Sequence, residues 1–242
     1  MSERLPGKRR AQLISFSGMD GAGKSTQIEI LFKRLTQAGL RVSLLAFWDN
    51  VATLTSVREL SGHALFKGEK GVGAPDKPVN RRDKNVQSWY MTVVRFALYF
   101  LDAISLSFVV WRQRRSGNDV IIFDRYIHDE LANLILKNRI SRIYAHFLLT
   151  ITPQADIAFL LDAVPEKARE RKPEYPVDFL RQSRAAYLAL SEMGGGMNVI
   201  GPLPVGEAAD QILEATLKKL SPGDLHYFST PAQSVARTPN LG

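Results

Sequence analysis

A doubly wound α/β fold with a parallel sheet is predicted by three features of this chain. Short, continuous apolar runs recur along it, long stretches of helical periodicity separate them, and the first run breaks into a glycine-rich turn that opens a helix. Continuous rather than alternating apolar runs are what strands need when helices cover both faces of their sheet. Alternation of strand and helix then gives parallel crossovers.

The elements follow in order. LISF at 13–16 is the first strand, and after the glycine turn a helix is predicted from Lys24 to Ala38, with Ile28, Leu31 and Leu35 on one face and Gly39 as its stop. VSLLAF at 42–47 reads as a strand buried on both faces; VIIF (120–123) and IAFLL (157–161) read the same way, and MNVI (197–200) is a shorter strand. The most apolar long segment, residues 96–111, carries Asp102, follows Arg95 and is 16 residues long. That is short of the roughly 20 apolar residues a bilayer span requires, so a buried helix is predicted. Its aromatic residues (Trp89, Tyr90, Phe96, Tyr99, Phe100 and Trp111) read as core or dimer interface.

Residues 1–10 form a basic N-terminal tail, and 221–242 are rich in Ser, Pro, Ala and Thr with little to bury, a flexible C-terminal tail. The charged Gly- and Pro-rich stretch 67–85 reads as a mobile loop. One domain, 11–220, is left. With no cysteine among 242 residues, disulfides and thiolate metal sites are excluded. The net charge of +8 suits anionic partners, namely nucleotides, nucleic acid or an acidic membrane surface, but it is read first as solubility together with the basic N-terminal stretch of Arg4, Lys8, Arg9 and Arg10. The charged start leads straight into a strand, so a cytoplasmic protein is expected.

The glycine turn carries the chemistry. Gly18-Met-Asp20-Gly21-Ala22-Gly23-Lys24-Ser25, followed by Thr26, satisfies G-x-x-x-x-G-K-[ST], between a strand and an amphipathic helix. Glycines let consecutive N–H groups converge on one anion, and the helix N-terminus adds its dipole. Lys24 is expected to reach the β- and γ-phosphates of ATP and Ser25 to hold Mg²⁺.

VIIFDRY (120–126) ends a strand in Asp124 and Arg125. Ligands of doubly wound sheets bind at the carboxyl ends of the strands, so Asp124 is expected to face the phosphate loop, where it would hold Mg²⁺ or act on the acceptor, with Arg125 as a cation beside the transferring group. The Asn-Lys-x-Asp motif by which GTPases read their base is absent from the sequence.

Together, F-S-G-M-D-G-A-G-K-S-T, then F-D-R-Y, then L-D-A-V-P-E-K-A-R-E-R resemble the thymidylate kinase family. Its pattern reads F-E-G-x-D-G-x-G-K-S-T, D-R-Y and D-x-x-P-E-x-A-x-x-R. Asp162, Pro165, Glu166, Ala168 and Arg171 match the last at its spacing, and Arg184, Tyr187 and Leu188 resemble the helix after the lid. The resemblance spans about residues 11–220. It implies a P-loop NTPase fold with a five-stranded parallel sheet and a short lid (166–176), ATP and Mg²⁺ as cosubstrates, and often a homodimer. Arg171 matches the lid arginine, with Arg169 and Lys172 as further cations.

The acceptor half departs from the family. F-W-D-N-V-A-T (47–53) stands where the family reads T-R-E-P-G-G-T, leaving Asp49 similar and Trp48 in the arginine's place. After D-R-Y the family continues x-x-S-x-x-A-Y-Q, whereas this chain has Asp129, Ala132, Asn133 and Leu134. Ser17 stands where the family often has glutamate. Asp102 falls at or near an arginine that the family uses for the acceptor phosphate, and Arg95 lies two turns earlier. Asp49, Arg95, Asp102 and Asn133 are therefore the substrate-side candidates, with Arg58, Arg81 and Arg82 as further cations.

The expected activity is ATP-dependent phosphoryl transfer to a nucleoside monophosphate resembling dTMP. Alternatives are a nucleoside or sugar-like alcohol acceptor, with Asp124 or Asp49 as base, or an ATP-binding switch. A small-molecule nucleotide acceptor is the expected partner, with no nucleic acid as main partner, no membrane, and a homodimer as the expected assembly if there is one. His63, His128, His146 and His226 show no metal-ligand spacing, and His128 reads as a helix-surface residue.

Overall fold

The computed structural model describes residues 10–51, 89–134, 139–193 and 196–220, without the side chains of residues 89–92 and 95. The expectations for both tails, the 67–85 stretch, Arg58, Arg81, Arg82, His63, His226 and the side chains of Trp89, Tyr90 and Arg95 lie outside the described residues.

The strands β1 (Gln12–Ser17), β2 (Val42–Ala46), β3 (Val120–Asp124), β4 (Ile157–Leu161) and β5 (Asn198–Ile200) form one five-stranded sheet in the order β2-β3-β1-β4-β5. Every pairing is parallel. The helices are α1 (Lys24–Gln37), α2 (Phe47–Asn50), α3 (Trp89–Arg115), α4 (Ile127–Leu131), α5 (Arg139–Ile151), α6 (Pro165–Arg171), α7 (Val177–Met193) and α8 (Val205–Lys219).

Strand pleating divides the apolar residues between two cores. Leu13, Ile121 and Phe123 face α3, α4 and α5, while Ile14, Phe16 and Ile122 face α1 and α8. A third cluster joins Met19 of the phosphate loop to Ala168 of α6 and to Leu180 and Tyr187 of α7. Phe16 is in register with Asp124, so β3 ends at the same carboxyl edge from which, two residues on, the chain turns at Gly18.

Three expectations need correction. β2 is not buried on both faces: it is an edge strand, and Leu44 is 48% exposed. An apolar run does not reveal whether a second helix covers it. The 96–111 segment belongs to a 27-residue helix with only one face in the core: Tyr99, Ala103, Leu106 and Val110 are buried, whereas Phe100, Phe108 and Trp111 are exposed. His128 is not on the surface but buried in α4, stacked near Tyr126.

Candidate functional site

The phosphate loop turns between β1 and α1, and close packing fixes its path. Gly18 has φ 142° and a Cβ there would lie 2.5 Å from the Leu161 carbonyl oxygen of β4; at Gly21, φ is 82° and a Cβ would lie 2.4 Å from the Ala168 carbonyl oxygen of α6. Both positions require glycine on steric and conformational grounds. The loop is therefore held between the end of β4 and α6.

Lys24 is 7% exposed, and its Nζ donates to the carbonyls of Gly18 at 2.6 Å and Met19 at 3.1 Å. Burial pulls its ammonium below the ordinary lysine range, and Arg125 adds to this, while Asp129, Asp20 and Asp124 oppose it. Ser25 and Thr26, on the first turn of α1, are exposed.

Asp20 sits at the crown of the loop. Its Oδ1 accepts a 2.6 Å hydrogen bond from Arg125 Nη2, and Lys172 Nζ lies 4.0 Å away. Burial would raise this carboxyl, but Arg125, Lys24 and Lys172 outweigh it and hold it below the usual carboxylate range. Arg125 adopts φ 68°, the one non-glycine residue with positive φ among the described residues. A left-handed arginine costs about 1–2 kcal/mol, yet its N–H continues the ladder to Phe16 O at 2.9 Å. The turn aims the guanidinium back over the loop instead of along the strand.

Asp124 contrasts with Asp20. Burial raises its pKa, and Asp129 and Asp20 add to the rise against Lys24 and Arg125. Its Oδ1 is buried and has no hydrogen-bond partner among the described residues. A carboxylate oxygen so placed, beside a phosphate loop, fits a site for Mg²⁺ or a bound water, for which Ser25 Oγ on α1 would be the second ligand.

Helix α6, where the lid is expected, begins with Pro165 at its first turn, where a missing N–H costs nothing. Its start is fastened: Arg184 of α7 pairs with both oxygens of Asp162 at 2.7 Å, and Arg181 meets Glu166 at 2.6 Å. Its end carries the cations, with Arg171 Nη1 donating to Gly21 O at 3.0 Å and Arg169 half-buried. In the 166–176 segment, then, the helix root is anchored and the arginine-bearing end covers the phosphate loop.

The structure thus brings Asp20, Lys24, Asp124, Arg125 and Arg171 to the edge where Gly18 to Thr26 lie. The substrate-side candidates are less closely gathered. Asp49 is exposed on α2 just beyond β2; Asp102 is fully buried in α3; the Asn133 amide donates to Asp129 O at 3.0 Å.

Two features were not singled out from sequence. Asp129 is 4% exposed and accepts from Ser17 Oγ at 2.7 Å, Tyr126 N–H at 3.0 Å and the Tyr187 hydroxyl at 2.8 Å. Burial pushes the Tyr187 hydroxyl well above its usual range, with Asp129 reinforcing the effect. The carboxylate three residues after a helix-capping position was the readable signal. The second feature is a cavity of about 400 Å³ beside the loop, lined by Gly23, Thr26, Gln27, Arg171, Pro202 and Val205 among others. Its walls come from four separate stretches of chain, so no local motif marks it.

Residues 1–55 match the model of the family described as Methylmalonyl Co-A mutase-associated GTPase MeaB. The chain is also 25% identical over 177 residues to a thymidylate kinase of Chlorobium chlorochromatii (strain CaD3), covering 71% of this chain and 70% of the relative. The fold is that of a P-loop NTPase. Loop, sheet and similarity together make this a nucleotide-binding protein of NTPase or kinase character.

Proposed function

We propose that the chain transfers the terminal phosphoryl group of ATP to a nucleoside monophosphate or a closely related phosphate acceptor. The observation that carries this reading is the pair of arginines on the phosphate loop: Arg125, just after β3, holds Asp20, and Arg171, at the end of α6, holds Gly21 O. Phosphoryl transfer asks little covalent help and much alignment and positive charge on the moving oxygens. A fastened lid that ends in arginine suits transfer to a second substrate, with water kept from the phosphate.

Backbone N–H groups of Gly21 to Thr26 would cradle the phosphates, and Lys24 would leave the Gly18 and Met19 carbonyls for the transferring oxygens. Mg²⁺, held by Ser25 and Asp124, would neutralise charge on the phosphate chain. Arg171 would release Gly21 O and bind the γ-phosphoryl oxygens, with Arg169 and Lys172 adding positive potential. Asp20 fixes the Arg125 guanidinium so that it can face the acceptor without pairing to the donor phosphates. A phosphate acceptor is already ionised and needs no base, so Asp124 serves the metal and not a hydroxyl.

The cavity beside Gly23 would take the donor nucleoside. Its carboxylate, Asp162, is already bidentate to Arg184, leaving guanine N–H donors without the anionic acceptor they favour. This supports ATP over GTP. Of the substrate-side candidates, exposed Asp49 just beyond β2 and Asn133 beside Asp129 would be available to an acceptor, whereas Asp102, fully buried in α3, would not touch it.

The test is ADP release from Mg²⁺-ATP across a panel of deoxy- and ribonucleoside monophosphates, nucleosides and sugar phosphates. Turnover that requires a monophosphate supports the proposal. Turnover with an alcohol alone, or nucleotide hydrolysis indifferent to every acceptor, overturns it.

A further inference from the structure

Trp48 stands at the carboxyl edge of the sheet, and the reaction proposed above gives it no part. β2 pairs with β3 so that Ala46 lies opposite Asp124, and Trp48 follows two residues later. Paired strands are about 4.8 Å apart and successive Cα atoms about 3.8 Å, so the Cα of Trp48 is within roughly 12 Å of that of Asp124.

The turn that carries the indole is fixed at both ends. Phe47 and Val51 are buried in the core that holds Phe123 and Ile127. Ala46 N–H donates to Asn50 Oδ1, and Val51 N–H donates to Phe47 O, both at 2.9 Å. Between these anchors Trp48, Asp49 and Asn50 face outward, with Trp48 39% exposed. Phe47 meets the indole at 86°, with ring centroids 6.2 Å apart. An edge-to-face contact of that kind covers at most one of the two indole faces.

We propose that Trp48 is the platform on which the base of the acceptor stacks. The inference rests on reading this chain as a nucleoside monophosphate kinase, and it adds that the acceptor must carry an aromatic base. The order of the strands supports it. The donor cavity takes its walls from the ends of β4 and β5, at Leu161 to Ala163 and Ile200 to Val205, on one side of the phosphate loop. On the other side of β1 come β3, with Asp124 and Arg125, and then β2, with Trp48. An acceptor phosphate beside Arg125, whose guanidinium Asp20 holds at 2.6 Å, leaves the remainder of that molecule to extend toward α2. A neutral indole gives a phosphate nothing to pair with, and Asp49 beside it repels one. What the indole offers is a flat π surface, on which any nucleobase stacks whatever its hydrogen-bonding edge.

The test uses the full chain with a non-hydrolysable ATP analogue filling the donor site. Deoxythymidine and cytidine monophosphates, the matching nucleosides and ribose 5-phosphate are titrated in, read by calorimetry and by tryptophan fluorescence. The monophosphates are expected to quench the fluorescence, and ribose 5-phosphate is not. Their affinity should fall about 5- to 150-fold in Trp48→Leu. Trp48→Phe should keep that affinity within about threefold while losing the quenching, since a phenyl ring still stacks. Far-UV circular dichroism and affinity for the ATP analogue should be unchanged in both variants. Monophosphates bound equally well by Trp48→Leu would overturn the platform and leave the monophosphate reading standing. Nucleosides bound through Trp48, with nothing gained from their phosphate, would keep the platform and overturn that reading. Ribose 5-phosphate bound as tightly as the monophosphates would show that no base is read.

Discussion

Ser17, the last residue of β1, donates a 2.7 Å hydrogen bond to Asp129 in α4, across 112 residues of sequence. In the pattern that this chain resembles, glutamate often stands at the first position and serine at the second. Here the two residue types are exchanged, and the hydroxyl and the carboxylate are hydrogen-bonded to each other. The carboxylate remains beside Lys24 and Arg125, whose charges it supports.

A reciprocal swap tests whether that pair is one unit. Asp129→Ser alone is expected to lower stability by about 1–3 kcal/mol, because Tyr187 and the Tyr126 N–H lose a buried acceptor, and to lower kcat. Ser17→Glu alone is expected to be at least as harmful, since it crowds a second carboxylate against the first. The double variant should regain part of both losses. Strict additivity in a double-mutant cycle of urea midpoints and kcat would show two unrelated residues.

The raised pKa of Asp124 gives a pH signature. Its carboxylate form is the one that would hold Mg²⁺, so kcat/KM should fall as pH drops through a value above 3.8. In Asp124→Asn that acid limb should vanish along with most of the metal dependence. The stability sign is opposite: the native state holds this proton more tightly than the unfolded chain, so stability falls as pH rises through the same window. An unchanged acid limb in the variant would remove Asp124 from the metal role.

Burial pushes His128 down to about 4, opposed only by Asp129. The unfolded chain then binds the extra proton between 6.5 and about 4, and stability must rise with pH across that window. Acidification to pH 5 is expected to cost about 2 kcal/mol from this group, read as a lower urea midpoint. His128→Phe should flatten that dependence; the same acid sensitivity in the variant would assign it to other groups.

Much of this was legible in the chain. Each strand was visible as a continuous apolar run, and Gly18 to Ser25 declared the phosphate site because backbone geometry leaves few alternatives to that spacing. Arg125 was visible as a charge after a buried strand, but its left-handed turn was not: it accompanies a partnership with Asp20, 105 residues away, that no local pattern marks. Leu44 and Phe108 were misjudged for one reason. Hydrophobicity reports what a side chain would prefer to bury, not whether this fold supplies a neighbour to cover it. His128 erred the other way, as a polar residue enclosed by the packing of α4. The donor cavity could not be read at all, since Thr26, Pro202 and Arg171 meet only after folding.

The central claim is transfer, as distinct from binding or hydrolysis. The most direct measurement follows the radiolabelled γ-phosphate of ATP in the presence of dTMP and related monophosphates, with Lys24→Ala and Arg171→Ala alongside. The expected result is label in a nucleoside diphosphate product, abolished in Lys24→Ala and reduced about 10²–10³-fold in kcat in Arg171→Ala. Label released only as inorganic phosphate, with or without acceptor, would contradict the claim and make this chain a nucleotide hydrolase.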